Sequence, residues 1–102
     1  MEEETIFKGT VDSSAVYPRE ILKQALRHDA SSLIFVHNHP SGDPDPSESD
    51  RMITKELVFS ASVMQLKVLD HIIIGNNQYF SFADAGLIEQ YECLYRETKK
   101  GL

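Results

Sequence analysis

The chain has 102 residues, one cysteine and a formal net charge of −6, with 41% hydrophobic and 25% charged residues. This length fits one domain, and the composition is that of globular proteins, which excludes an intrinsically disordered chain. Cys93 has no second cysteine for a disulfide, residues 1–4 are too acidic for a signal peptide, and no apolar run approaches the ~20 residues of a membrane span. We therefore expect a soluble cytoplasmic protein that contacts no membrane. Because 16 acidic residues face 10 basic ones, we also expect no direct nucleic-acid binding.

The first third of the chain alternates predicted strands and helices. Residues 5–11 are rich in β-formers and predict a strand. Pro18 fits a first helical turn, and apolar residues at helical spacing extend this helix to about Asp29. Residues 32–36 form a continuous apolar run, which is typical of a central strand covered on both faces. This strand leads directly to His37.

A loop and a second helix follow. Residues 40–46 contain three prolines and predict a loop. A helix is predicted from about Ser47, and its buried stripe comprises four apolar residues at helical spacing: Ile53, Leu57, Ala61 and Met64.

The last part of the chain predicts a hairpin and a terminal helix. Strands are expected over residues 67–74 and 78–82, joined at residues 75–77, where asparagine tolerates the left-handed conformation of a tight turn. Apolar residues beyond Gly86 predict an amphipathic helix. Because strands and helices alternate, we expect an α/β fold in which helices flank a mixed β-sheet.

Two histidines and a carboxylate form the candidate metal site. If the strand stays extended to residue 39, His37 and His39 point to one face and Asn38 points away. With Asp50 they supply three ligands for one zinc ion and leave a position for water, which is the pattern of catalytic zinc. A bare His-x-His pair is also found as two surface histidines at the end of a strand.

Other polar residues near these histidines have simpler interpretations as well. Ser47 and Asp50 fit a capping box at the start of a helix, which would explain both residues without a metal. Asp43 and Asp45 are rival carboxylates, although their position between prolines favours a role in the shape of the loop. Asp70 and His71 are neighbours in a predicted strand, so their side chains face opposite ways and one of them must point inward. We expect that residue to be a buried, hydrogen-bonded polar residue that supports the sheet.

Hydrolysis would also need a general base. Glu4, at the start of the first predicted strand, is a candidate. Spacing alone does not distinguish it from Glu2 or Glu3, and all three fit a solvated acidic terminus.

Several segments in order along the chain identify a family resemblance. Residues 37–44 (HNHPSGDP), 46–47 and 50–51 resemble the signature of the RadC family, whose members contain a JAMM (JAB/MPN-type) metalloprotease-like domain. Further matching segments are residues 7–10 (FKGT), 16–20 (VYPRE), 68–75 (VLDHIIIG) and 81–83 (SFA). The resemblance covers about residues 4–87. It implies a fold similar to that of cytidine deaminases.

The resemblance also implies a function and a set of roles. It implies a zinc-dependent hydrolase that cleaves a peptide or isopeptide bond in a peptide or protein substrate. His37, His39 and Asp50 would be the zinc ligands, Glu4 the general base, and Ser47 the hydroxyl that stabilises the oxyanion. The alternative is a non-catalytic metal-binding or interaction module of a protein linked by its name to DNA repair.

The resemblance further implies how the chain is divided. Residues 1–87 would be a JAMM-like domain truncated at its N-terminus, and residues 88–102 a helical tail. Proteins of the family normally contain an N-terminal helical region and another strand before the glutamate, and we expect this chain to lack both. A sheet edge left bare in this way, or the terminal helix, would favour a homodimer.

Overall fold

The structure is a computed structural model that describes residues 17–100. These residues form three helices and a mixed sheet of three strands, which confirms the predicted α/β class. In chain order they are α1 (Pro18–Arg27), β1 (Ser32–Asn38), α2 (Glu48–Val63), β2 (Lys67–Gly75), β3 (Gln78–Ser81) and α3 (Leu87–Lys100). The strand predicted over residues 5–11 lies outside the described residues.

The sheet is mixed, in the order β1-β2-β3. β1 and β2 are parallel, whereas β2 and β3 form an antiparallel hairpin. The register of β1 against β2 shifts at one point, where Leu33 pairs with Val68 but Ile34 pairs with Asp70. Leu69 is therefore a bulge residue, and beyond it every side chain of β2 faces the side opposite to that expected from simple alternation.

The core lies between the sheet and the helices. Leu57 and Ala61 of α2 are fully buried, as predicted, but Met64 is 45% exposed. Met64 is the C-cap residue of α2, so it has left the buried stripe. Thr54 and Val58 take that place in the core, and Thr54 is a buried polar residue that the apolar pattern did not predict.

The coverage of β1 differs from the expectation of a central strand buried on both faces. Burial alternates along β1, and Ile34 and Val36 are 54% and 51% exposed. Among residues 17–100, β1 is also an edge of the sheet, because β2 alone pairs with it. We define the face that contains these two side chains as the outer face and the helix-covered face as the inner face. The expected homodimer stays a prediction.

The hairpin and the terminal helix agree with the predicted elements. Asn76 and Asn77 have φ values of 51° and 62°, which is the left-handed conformation that the turn requires. Ile88 and Tyr91 of α3 are buried in the same core as Leu57, so this helix packs against the domain. In the part of the chain that the structure describes, no helix combines the length and apolarity needed to cross a membrane.

Candidate metal centre

Three neighbouring elements bring His37, His39 and Asp50 together. His37 lies at the end of β1, His39 follows the strand, and Asp50 lies in the first turn of α2. The distance from His39 Nε2 to Asp50 Oδ2 is 3.0 Å, and that from His37 Nδ1 to Asp50 Oδ1 is 3.7 Å. One ligand atom from each residue lies within 4.8 Å of the other two. The three predicted ligands therefore meet at one point, and Asn38 is exposed as expected.

These separations fit a metal ion. Two N or O ligands at 2.0–2.2 Å from a tetrahedral zinc lie about 3.4 Å apart. The measured 3.0 Å and 3.7 Å lie on either side of this value. His37 is 4% exposed, and both of its ring nitrogens are buried without a hydrogen-bond partner among residues 17–100. Because buried polar atoms are nearly always paired, such nitrogens fit a ligand-binding site.

The orientation of His39 leads to the same conclusion. Its Nδ1 lies 2.7 Å from the main-chain oxygen of Asp43, so Nδ1–H donates there. In a neutral imidazole, Nε2 then has no proton and faces the carboxylate of Asp50 as a second acceptor at 3.0 Å. Two acceptors at this distance need a cation between them, either a proton or a metal ion. A carbonyl that orients a ligating histidine in this way is a regular feature of metal sites.

Electrostatics favours the protonation states that a metal requires. Burial lowers the pKa of His37, and the nearby His39 lowers it further, against the opposing effect of Asp50. Burial raises the pKa of Asp50, but the hydrogen bonds from Ser47 and the electrostatic effect of the two histidines outweigh it, so the pKa lies below its ordinary value. A neutral imidazole and an ionised carboxylate are the forms that coordinate metal.

The capping box is present together with the ligand arrangement. The Ser47 hydroxyl oxygen accepts from the Asp50 N–H at 3.0 Å, and Asp50 Oδ2 accepts from the Ser47 N–H at 2.8 Å. The two interpretations of Ser47-x-x-Asp50 are thus compatible, since Asp50 Oδ1 is not needed for the cap. Ser47 is exposed and its hydroxyl proton is not used by the cap.

Asp43 and Asp45, the rival carboxylates, stabilise the conformation of the loop. Asp43 Oδ1 accepts a hydrogen bond from the Asp45 N–H at 3.0 Å, which is a local turn. Both residues are exposed and neither belongs to the cluster of possible metal ligands among the described residues. Glu4, the predicted general base, lies outside the described residues.

The pair at residues 70–71 divides between the two faces of the sheet. His71 points inward, is 1% exposed, and its Nδ1 lies 2.6 Å from Thr54 Oγ1. Asp70 points outward and accepts hydrogen bonds from Ser81 Oγ and from the Ala83 N–H. The buried polar residue expected here is therefore His71. Sequence reasoning missed its partner Thr54, although a threonine on the apolar face of α2 was a signal.

A second concave surface lies on the outer face of the sheet. It is a wide, open groove, and the three candidate ligands take no part in it. Its lining residues are Asp70, Ile72, Ile74, Asn77, Gln78, Tyr79, Ser81 and Asp84. Because the sheet separates this groove from the inner face, a molecule bound there would not reach the metal ligands.

Comparison with known proteins supplies independent information. Residues 1–87 match the family model described as "RadC-like JAB domain". The chain is 51% identical over 85 residues to a UPF0758 protein of Nitrosomonas eutropha, covering 83% of this chain and 38% of that protein. It is 48% identical over 85 residues to the UPF0758 protein YeeS of Escherichia coli, covering 83% and 57%, and 50% identical over 86 residues to a UPF0758 protein of Vibrio cholerae, covering 84% and 54%. The chain therefore matches between 38% and 57% of the length of these relatives.

Proposed function

Because the chain belongs to the family of RadC-like JAB domains, we propose that it is a zinc-dependent hydrolase that cleaves a peptide or isopeptide bond. The observation that carries this proposal is the meeting of His37, His39 and Asp50, whose ligand atoms lie within 4.8 Å of one another. His37 offers a buried nitrogen with no hydrogen-bond partner in the described part of the chain, which is a strong reason to place a cation there.

The donor set favours zinc. Two imidazoles and one carboxylate are ligands that zinc accepts in catalytic sites, where a fourth position stays open. When bound, zinc supplies a Lewis acid and a water molecule whose pKa is lowered to about 7. Manganese and iron accept the same ligands, so metal analysis of the purified protein tests this part of the proposal.

The remaining roles belong to Glu4 and Ser47. We assign to Glu4, from its position in the family pattern, the removal of a proton from water and its delivery to the leaving amine. Ser47 donates its hydroxyl proton to the developing oxyanion, while its oxygen keeps the cap of α2. An oxyanion donor of this kind is typically worth about 10²–10³ in kcat.

The substrate and the compartment are part of the proposal. We infer a peptide or protein substrate, because the chemistry is directed at an amide bond, and no nucleic acid, because the net charge is −6. We also infer that the protein acts in the cytoplasm. Cys93 is exposed and unpaired in the described part of the chain, which suits a reducing compartment.

The test compares two neighbouring glutamates. The zinc-loaded chain is incubated with a panel of fluorogenic peptides and lysine-linked isopeptides, beside Glu4→Gln and the matched control Glu3→Gln. We expect turnover by the wild type and by Glu3→Gln, and loss of turnover in Glu4→Gln with unchanged zinc content. Ser47→Ala should keep its zinc and lose about 10²–10³ in kcat.

Two results would contradict the proposal. A zinc-loaded wild type with no turnover on any member of the panel would favour the non-catalytic metal-binding module. Equal turnover in Glu4→Gln and Glu3→Gln would remove the assigned base.

A further inference from the structure

Two polar side chains lie fully inside the core, directly behind the candidate metal ligands. Thr54 of α2 is 0% exposed, and His71 of β2 is 1% exposed. Neither is among the possible metal ligands. Together they connect the inner face of the sheet to the turn of α2 that contains Asp50.

The hydrogen bonds of this pair run in one direction. The Thr54 hydroxyl donates to the main-chain oxygen of Asp50 at 2.7 Å, so its oxygen is left to accept. His71 Nδ1 lies 2.6 Å from that oxygen and must therefore be the donor. The result is a relay from His71 through Thr54 to the backbone of Asp50. Burial lowers the pKa of His71 to about 3, which keeps the ring neutral with its proton on Nδ1.

The His71 ring has little freedom to move. It stacks on Phe82 at 4.6 Å with an interplanar angle of 5°, and Phe35 packs against it at the same centroid distance. The ring of His37, a candidate ligand, stacks on it at 5.7 Å. His71 thus contacts one ligand through its ring and holds another through Thr54.

We propose that Thr54 and His71 are positioning residues that fix the first turn of α2, and with it the carboxylate of Asp50, relative to the histidines of the metal site. This inference rests on the metal site of the proposed function, although not on the reaction. The carboxylate extends from α2, and without the relay only the capping box and packing would define its position. Outer residues that orient ligands in this way typically change metal affinity by about 10- to 100-fold when removed.

A contribution to the core alone does not explain the pair. His71 Nε2 is buried without a partner among the described residues, and an unpaired buried acceptor is destabilising. Two apolar residues of similar shape would fill the same space without this cost. The relay therefore needs a reason other than stability, and its contact with the ligand turn supplies one.

The test distinguishes the hydrogen bonds of the Thr54 hydroxyl from the packing of the side chain. Thr54→Val keeps the size of the side chain and removes both hydrogen bonds, whereas Thr54→Ser keeps the hydroxyl. His71→Leu removes the donor, whereas His71→Asn keeps an N–H near the Nδ1 position. Zinc affinity is measured by chelator competition, and coordination geometry by the visible absorption bands of the Co²⁺-substituted protein. Thermal unfolding in EDTA is recorded for every variant.

We expect Thr54→Val and His71→Leu to weaken zinc binding by about 10- to 100-fold and to change the Co²⁺ bands. Thr54→Ser should restore the wild-type affinity and spectrum, and His71→Asn should recover part of both. Ser81→Ala is the control, because it removes a buried hydroxyl bond of 2.7 Å to Asp70 on the other face of the sheet. It should lower the unfolding temperature and leave zinc affinity and the Co²⁺ spectrum unchanged.

The possible failures are distinguishable. If Thr54→Val lowers the unfolding temperature like Ser81→Ala but binds zinc and Co²⁺ as the wild type does, the pair is structural and the inference is wrong. Zinc binding that depends on the relay, in a protein that hydrolyses nothing, would contradict the proposed function and support the inference. A wild type that binds no metal would overturn both.

Discussion

Each face of the sheet has a cluster of polar side chains, and the two clusters differ in whether their polar atoms have hydrogen-bond partners within residues 17–100. On the outer face, the carboxylate of Asp70 accepts from Ser81 Oγ and from the N–H groups of His71 and Ala83, at 2.7–2.8 Å. On the inner face, both ring nitrogens of His37 and Nε2 of His71 have no partner among the described residues. Both clusters lie next to strand β2.

This difference separates a cluster that serves the fold from the candidate metal centre. The three hydrogen bonds that Asp70 accepts fill most of its acceptor capacity and stabilise the turn after β3. Buried nitrogens without partners reduce stability, and they persist where a ligand or a reaction makes use of them. The candidate ligand His37 belongs to the unsatisfied cluster.

The largest expected effect is on metal affinity. His37→Ala should weaken zinc binding by more than about 1,000-fold, or ~4 kcal/mol, because only two protein ligands remain. Asp70→Asn, the control on the outer face, should bind zinc as the wild type does. Chelator competition measures both, and a zinc affinity that Asp70→Asn lowers as much as His37→Ala would abolish the distinction between the clusters.

The second effect concerns the stability of the metal-free protein. Here we expect the substitution on the outer face to cost more than the substitution on the inner face. Asp70→Ala leaves the Ser81 hydroxyl and two backbone N–H groups without their acceptor, and should cost about 3 kcal/mol of unfolding free energy. His37→Leu removes unpaired nitrogens from the core and should leave that free energy unchanged or raise it by about 1 kcal/mol. Urea denaturation in EDTA gives both values. A large loss in His37→Leu would mean that the inner cluster is satisfied in the metal-free protein.

The third effect is a pH dependence of the metal-free protein. The pKa of His71 is about 3 in the folded chain, against an ordinary histidine value of 6.5, so protons bind to the unfolded chain first. The contribution of His71 to the free energy of unfolding is fully present above pH 6.5. It is lost as the pH falls, by about 2 kcal/mol at pH 5. His71→Asn should reduce this loss. Urea denaturation at pH 7 and pH 5 in EDTA tests it, and an equal loss in the variant would contradict the assignment to His71.

The smallest effect concerns the loop that orients His39. A Cβ at Gly75 would lie 2.7 Å from the main-chain oxygen of Gly42 and 2.8 Å from its carbonyl carbon. Gly75→Ala must therefore displace the backbone next to Asp43, whose carbonyl accepts from His39. We expect zinc affinity, measured by chelator competition, to fall by about tenfold.

Gly86→Ala is the matched control for this prediction. Gly86 has a φ of +79° and open space around its Cβ position, so alanine strains the backbone without touching the metal loop. It should lower stability and leave zinc affinity unchanged. Wild-type affinity in Gly75→Ala would show that the loop adapts without moving His39.

Much of the fold followed from local pattern. Prolines, asparagines and apolar periodicity predicted the beginning of α1, the tight turn at Asn76 and Asn77, and the beginning of α2 at its cap Ser47. These features depend on residues close in sequence, whose conformational preferences act before any packing occurs. The burial of Thr54 could not be predicted in this way, because its hydrogen-bond partner His71 comes from a distant strand.

The chain's residues by themselves determined the chemistry of the candidate site. Spacing and side-chain alternation set two imidazoles at the end of a strand and a carboxylate at a helix start. Only the tertiary structure decided which of Asp70 and His71 lies behind the ligands. The bulge at Leu69 reverses the alternation of β2, and it arises from the pairing of β1 with β2. A register shift between strands depends on packing across the whole sheet, so no local pattern contains it.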